Sequence, residues 1–154
     1  MHSADAQRSA FASLLRELHD ATVQAGFATA RRMELSTTDA AAIEHIVLAA
    51  APIGPAELSV RLGVTRSSAT EIIDRLVRSG RMERRRDEVD GRRFRLVPTD
   101  AARELVSTEL SPLERRVEEV GASFTPQQQG VIAEFLEAVA TAHREFAVGE
   151  TPAG

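Results

Sequence analysis

Residues 55–80 read PAELSVRLGVTRSSATEIIDRLVRSG, and residues 81–99 continue RMERRRDEVDGRRFRLVPT. The first part has the apolar spacing of two short helices separated by a tight turn. The second part has two short arms rich in arginine, joined by a turn sequence. A helix pair followed by a basic hairpin is typical of proteins that bind DNA, so the rest of the chain is interpreted outward from this stretch.

The two helices are bounded by local sequence signals. Pro55 suits the first turn of a helix, and Gly63 suits the left-handed position that ends one. Thr65 can cap a second helix over about 66–79, which Gly80 ends. That second helix would bury Ala69, Ile72, Ile73 and Leu76 and present its polar side to solvent or to a partner.

The hairpin is expected to have arms at 82–86 and 93–97. Its connection contains Asp90-Gly91, a dipeptide that favours a tight turn between two strands. The arms carry an unusual number of arginines for a surface hairpin, which indicates a partner of negative charge.

Charge is distributed unevenly along the chain. The whole chain has a formal charge of −4, but residues 61–95 carry 11 Arg against 6 acidic residues, a local charge of +5. The remainder is therefore acidic, at −9. An acidic body with one basic segment is the expected footprint of a phosphate-facing surface.

Helices are also predicted on both sides of the central stretch. Residues 6–31 carry apolar positions at helical spacing, and a further helix begins after the capping candidates at 36–39 and stops near Ala51, where Pro52 and Gly54 follow. After the hairpin, one helix starts near 99, with a kink or break expected near Leu110–Ser111 because Pro112 follows, and another helix follows Thr125. The predicted fold class is mainly α with a small β-hairpin: a winged helix-turn-helix over 35–99, with dimerisation helices at 6–34 and 101–147, all within one domain spanning 1–154.

Several function classes are disfavoured by what the sequence lacks. Cysteine is absent, which removes disulfides, thiol nucleophiles and thiolate metal sites, and the four His show no metal-binding spacing. We find no catalytic or phosphate-loop motif, so we expect neither an enzyme nor a cofactor. No apolar run is long enough to span a membrane and the N-terminus does not resemble a signal peptide, so we expect a cytoplasmic protein with no membrane contact.

The candidate DNA contacts are polar residues of the second helix and arginines of the hairpin. Hydroxyl groups near the start of that helix allow close approach to base edges, while arginines further along would reach phosphate. The minor groove is suited to an arginine on a short turn, such as Arg92. The expected contacts are Arg66, Ser67, Ser68, Thr70, Glu71, Arg75, Arg78, Arg84, Arg86, Arg92 and Arg93.

This stretch resembles the MarR family of winged-helix transcriptional regulators from about Leu35 to Leu105. The resemblance rests on LGVTRSSAT at 62–70, Asp74-Arg75-Leu76 with Gly80, and Asp90-Gly91-Arg92 followed by Thr99. It implies a homodimer built from the terminal helices, a recognition helix in the major groove and a wing in the minor groove. By position, Arg92 would be the wing-tip contact, and Asp90 would brace the wing by pairing with an arginine.

Two departures from the family pattern stand out. Pro98 occupies a position where relatives often have Leu, which bears on the junction into the next helix. Glu71 is an acid on the expected DNA-facing side of the second helix. It could accept a hydrogen bond from a cytosine amino group, repel the DNA backbone, or pair with Arg75 one turn later. The pairing with Arg75 is the reading we favour from sequence.

The leading functional hypothesis is a sequence-specific transcriptional regulator, a ligand-responsive repressor that binds a promoter palindrome as a homodimer. The resemblance implies a small-molecule effector, for which Arg16, His19 and His45 are weak candidate contacts. The alternatives are a winged-helix activator, a sequence-tolerant protein that coats double-stranded DNA, and a protein-interaction module that does not bind DNA.

Overall fold

The computed structural model describes residues 2–88 and 90–149. Six helices and one hairpin follow in chain order: α1 His2–Arg32, α2 Thr37–Val47, α3 Pro55–Leu62, α4 Arg66–Arg78, β1 Met82–Arg86, β2 Phe94–Pro98, α5 Asp100–Ala122 and α6 Pro126–Gly149. The chain forms two compact units that divide after Leu110, within α5. The predicted fold class is therefore confirmed, and the helices and strands lie close to their expected positions.

Helix α2 begins as predicted and ends earlier than predicted. The Ser36 side chain accepts a hydrogen bond from the Asp39 backbone N–H, which caps the first turn. The helix ends at Val47 rather than near Ala51. The segment that follows turns back toward the hairpin, where the Ile53 carbonyl accepts a hydrogen bond of 2.8 Å from the Leu96 N–H. This bond and the burial of Ile53 explain the early end of α2.

The pair α3 and α4 forms the helix-turn-helix. Gly63 ends α3 with φ 63°, and Gly80 follows α4 with φ 68°, so both lie in the left-handed region that glycine tolerates best. Thr65 caps α4 by accepting a hydrogen bond from the Ser68 N–H. The predicted boundaries of this pair are confirmed to within one residue.

The hairpin is an antiparallel pair in which Met82 lies opposite Pro98 and Arg86 lies opposite Phe94. The second strand begins one residue later than expected, at Phe94. Pro98 lies at the end of this strand, where the ladder stops and a missing N–H costs little. The turn between the strands contains the Asp-Gly dipeptide, as predicted.

The core of the first unit is aliphatic. Its largest fully buried side chains come from α2, α3, α4, β2 and α5, so the hairpin and the helix pair share one core: Ile43, Leu58, Ile73, Leu76, Leu96 and Val106. The four residues predicted for the buried face of α4 are all buried. This shared core fixes the orientation of α4 relative to the hairpin.

Helix α5 continues through Pro112, so of the kink or break expected near Leu110–Ser111 the break is wrong. The helix continues although Pro112 lacks the backbone N–H that would donate to the preceding turn. The boundary between the two units lies two residues before this proline. Helix α6 starts with a reciprocal cap, in which Thr125 and Gln128 each accept a hydrogen bond from the other's backbone N–H. None of the described helices is long and apolar enough to cross a membrane.

Candidate nucleic-acid interface

The exposed side of α4 is a ridge opposite its buried face. An α-helix turns by about 100° per residue, which places Ser67, Glu71, Asp74 and Arg78 in one line along the helix. The ridge lies directly opposite the buried Ile72 and Leu76. It is therefore the part of α4 that a DNA groove would meet first, and two of its four residues are acidic.

The hydroxyl groups at the start of α4 form a local network. The Thr65 hydroxyl lies 3.0 Å from the Ser67 hydroxyl and 2.9 Å from that of Ser68. Thr70 donates its hydroxyl proton to the Arg66 carbonyl at 2.9 Å. Ser67 and Thr70 are exposed and keep acceptor capacity toward a partner, whereas Ser68 is half-buried and belongs more to the cap than to the surface.

Arg75 does not pair with Glu71 as the sequence led us to expect, and that prediction is wrong. Its guanidinium group instead donates two hydrogen bonds to the Asp39 carboxylate of α2, at 2.8 and 3.2 Å. Asp39 is only 8% exposed, so a buried acceptor competes for the arginine more strongly than a solvated one. These hydrogen bonds raise the pKa of Arg75, helped by coulombic attraction from Asp39 and Glu71.

The arginines of the first hairpin strand are held by neighbouring groups. Arg84 donates a 2.6 Å hydrogen bond to Asp74 of the ridge, and so links the hairpin to α4. Arg86 donates to the Gly91 carbonyl at 2.9 Å and lies 5.7 Å from the ring centroid of Phe94. Arg78 donates to the Asp74 backbone carbonyl at 3.3 Å, which leaves most of its donors available.

The hairpin turn is organised by two aspartates. Asp90 accepts a hydrogen bond from the Arg92 backbone N–H at 3.1 Å, and its carboxylate lies 3.9 Å from the Arg93 guanidinium. Asp87 accepts a bond from the Asp90 backbone N–H and a short one from Arg95. The turn is thus braced through the backbone more than through a tight Asp90–arginine pair.

Two of the expected DNA contacts keep guanidinium groups without a hydrogen bond or ion pair to any residue in 2–88 or 90–149. They are Arg66, at the first position of α4, and Arg92, at the turn of the hairpin. Six other arginines of the basic segment contact acidic partners: Arg61, Arg75, Arg84, Arg85, Arg93 and Arg95. Among the expected DNA contacts, Arg66 and Arg92 therefore have the guanidinium groups that are most available to DNA.

Sequence reasoning missed Asp39, Asp87 and Arg95 as parts of this surface. Asp39 is 36 positions from Arg75, and no local pattern joins the two. Asp87 and Arg95 are diagonal neighbours across the hairpin, since Arg95 lies opposite Arg85 in the ladder and Asp87 follows Arg85 by two residues, on the same face. The strand register could have suggested this second pair if the second arm had been placed one residue later.

The comparisons with known proteins agree with this geometry. The MarR family model matches residues 46–94, from the end of α2 to the start of β2. The transcriptional regulator AdcR of Streptococcus pneumoniae is 34% identical over 101 residues, 62% of this chain and 69% of AdcR. The HTH-type transcriptional regulator YcgE of Bacillus subtilis is 28% identical over 123 residues, 80% of this chain and 79% of YcgE. The chain belongs to the MarR family.

A solved structure of a transcriptional regulator shows the same fold. The PcaV regulator from Streptomyces coelicolor, determined in complex with its natural ligand, superposes with a TM-score of 0.54 at 25% identity. The alignment covers 84% of this chain and 91% of PcaV. As a MarR-family protein, the chain is a DNA-binding transcriptional regulator and not an enzyme.

A small cavity lies between α1 and α2 in this MarR-family chain. It has a volume of about 180 Å³, and apolar groups from both helices form most of its wall, with Glu44 as the ionisable member: Val23, Gly26, Phe27, Thr37, Ala40, Ala41 and Glu44. Burial raises the pKa of Glu44. A carboxyl group held in a partly apolar site would favour a neutral or cationic neighbour over an anionic one.

The three weak effector candidates do not line this cavity. Arg16 and His19 lie exposed on α1, well before the turn that forms the cavity wall. His45 is half-buried on α2, where burial and, secondarily, the charge of Arg61 on α3 lower its pKa. The structure therefore does not bring the three residues together at this cavity.

Proposed function

We propose that this protein is a cytoplasmic, homodimeric repressor that binds a promoter palindrome in a sequence-specific manner and responds to a small ligand. The observation that carries the DNA part of the proposal is the placement of Arg66 and Arg92 without acidic partners among the described residues. One lies at the start of the helix that would enter the major groove, and the other at the hairpin turn that would enter the minor groove.

In this proposal each expected contact has a role set by its surroundings. Ser67, Thr70 and Glu71 face base edges from the exposed side of α4, with Ser68 supporting them through the cap. The arginines at 78, 84, 86 and 93 lie along α4 and the hairpin, where they would meet phosphates and set the register. Arg75 would reach phosphate only by leaving Asp39, so we assign it a mainly structural role.

The dimer is supported by exposed apolar side chains on the flanking helices. In the first unit, α1 exposes Leu14, Leu18 and Phe27. In the second unit, large apolar side chains of α5 and α6 are exposed together: Leu113, Val117, Val120, Val131, Ile132, Phe135, Leu136 and Phe146. Such surfaces are costly to leave in water, and a second copy would cover them. Two-fold symmetry would then match a palindromic site.

The ligand-responsive part of the proposal rests on the cavity between α1 and α2. Helix α2 also carries Asp39, which holds Arg75 of α4. A ligand that moved α2 relative to α1 would therefore bear on the position of α4. A relative, PcaV, has been determined in complex with its natural ligand, which makes ligand binding a reasonable property to test here.

The experiment is selection of bound duplexes from a random library, followed by footprinting and by transcription from a promoter that contains the selected site. We expect a discrete protected palindrome and reduced transcript with protein present. Uniform protection would instead indicate a DNA-coating protein, and increased transcript would indicate an activator. Absence of any retarded complex at low salt would contradict every function that requires DNA.

A further inference from the structure

Glu71 is an exposed carboxylate in the middle of the surface proposed to face DNA, and Arg75 attracts it only coulombically. It is exposed on the ridge of α4, one turn after Ser67 and one turn before Asp74 and Arg75. It makes no hydrogen bond or ion pair with any residue in the described ranges 2–88 and 90–149. An acid at this place would meet the negative potential of DNA directly.

Asp74, the other acid of the ridge, has a direct cationic partner within the protein. Asp74 receives a 2.6 Å hydrogen bond from Arg84 of the hairpin, so its charge is compensated within the protein. The cation best placed to compensate Glu71 is Arg75, four residues later, but its Nε and one terminal nitrogen donate to Asp39 instead, so it attracts Glu71 only coulombically and without a hydrogen bond. The fold thus pairs one carboxylate of the ridge directly and leaves the hydrogen-bond acceptors of the other open to a partner.

The edges of the bases differ in what they offer to a carboxylate. An ionised carboxylate only accepts hydrogen bonds. Guanine and thymine present acceptors in the major groove, and adenine presents its amino donor beside the N7 acceptor. Cytosine presents the N4 amino donor without an acceptor of its own beside it, so a carboxylate is satisfied there with the least repulsion.

We propose that Glu71 is a specificity-determining residue that accepts a hydrogen bond from the N4 amino group of a cytosine in each half-site. The inference rests on the sequence-specific binding proposed above, and it adds one feature of the operator. At every other base the carboxylate finds no hydrogen-bond donor free of a neighbouring acceptor on the same base, and its negative charge weakens binding, so Glu71 acts by rejecting wrong sequences as much as by binding the right one.

The test is duplex selection with four proteins: wild type, Glu71→Gln, Glu71→Ala and the control Glu57→Gln. Glu57 is also an exposed glutamate, but it lies on α3 and is paired with Arg61. The wild type and the control should enrich a cytosine at one position in each half-site. Replacing that cytosine should weaken wild-type binding by about 5- to 150-fold.

The two variants at position 71 separate base reading from simple repulsion. Glu71→Ala should lose the preference at that position alone, and Glu71→Gln should shift it toward adenine, which a glutamine can bind through N6 and N7. If both variants bind all sequences more tightly with an unchanged preference, the carboxylate only repels DNA and the inference is wrong. If the wild type enriches no site at all, the proposed sequence-specific function fails and the inference falls with it.

Discussion

The region from α2 to β2 and the unit formed by residues 111–154 differ in how far each buries its own apolar side chains. The first region buries its large aliphatic groups, including Ile43, Leu58 and Ile73, which are each at 0% exposure. The second has no buried side chain among its described residues, and Leu136 is 48% exposed. Both regions contain well-capped helices, so helix formation does not explain the difference.

The two regions expose different kinds of side chain without partners in the protein. In the first, the described residues include charged groups without an ion-pair partner, such as Arg66 and Arg92. In the second, the exposed groups include many large apolar side chains. Unpartnered charge suits a polyanion with patterned base edges, whereas unpartnered apolar surface suits another protein surface. The comparison therefore supports the proposal that DNA binds to one region and a second copy of the chain to the other, and each of the following changes tests one side of it.

The largest effect is expected from Leu136→Asp on α6. A charge in the exposed apolar surface should prevent the proposed dimer, and a monomer loses the benefit of two linked half-sites. DNA affinity should fall by about 100-fold or more. Sedimentation should show the loss of the dimer, and titration of a palindromic duplex should show the loss of affinity.

The matched control is Thr141→Asp, which adds the same charge on the polar side of α6, near Arg144. It should leave both the oligomeric state and DNA binding unchanged. A Leu136→Asp protein that remains a dimer with full affinity would mean that the apolar surface of the second unit has another purpose.

Arg92→Ala removes an arginine without an acidic partner among the described residues and should weaken DNA binding by about tenfold, most strongly where A·T pairs flank the site. Arg85→Ala is the control, since Arg85 lies on the same hairpin and is already paired with Glu83 at 2.8 Å. Binding titrations on duplexes with A·T-rich and G·C-rich flanks give the comparison. Equal losses for both variants would show that the hairpin contributes only general charge.

Asp39→Ala breaks the link between α2 and α4 that the Arg75 guanidinium makes with the Asp39 carboxylate. It removes the buried acceptor for Arg75 and should lower the free energy of unfolding by about 1 kcal/mol, the ordinary value of one hydrogen bond in a folded protein. Glu57→Ala breaks an exposed ion pair with Arg61 on α3 and should change the free energy of unfolding by less than about 0.5 kcal/mol. Urea unfolding measures both, and equal effects would mean that the link between α2 and α4 adds no more than a surface ion pair.

The elements of this fold could be predicted from local signals because those signals act over a few residues. Gly63, Thr65 and Gly80 each fix a helix end through their own backbone or side chain. The partner of Arg75 could not be predicted in this way. The contact with Asp39 exists only after α2 and α4 have packed on a common core, and a pattern one turn long suggested Glu71 instead.

The same limit applies to the end of α2. Pro52 and Gly54 mark the latest point at which the helix could stop, and the sequence placed its end near them. The structure ends it four residues earlier because Ile53 is buried and bonded to Leu96, which is far away in the chain. Long-range pairing decided the boundary over local propensity. Arg66 and Arg92 were expected from the sequence as DNA contacts, but their lack of an acidic partner among the described residues could not be predicted, because it depends on which acids the fold brings near each arginine.

The smallest effect is expected from His45→Gln, at the junction of α2 and α3. Burial and Arg61 lower the pKa of His45 in the folded protein below its unfolded value of about 6.5. Below pH 6.5 the unfolded chain therefore binds more protons at this residue than the folded chain does, so the contribution of His45 to stability is complete above pH 6.5 and is lost as the pH falls. The free energy of unfolding of the wild type minus that of His45→Gln should decrease between pH 7.5 and 5.5, by less than about 0.5 kcal/mol because the ring is only partly buried. Glu44, whose pKa is raised, remains in both proteins and cancels in the difference. A difference in the free energy of unfolding that grows as the pH falls would place a carboxylate rather than Arg61 beside the ring. The surroundings of His45 would then differ from those in the structure.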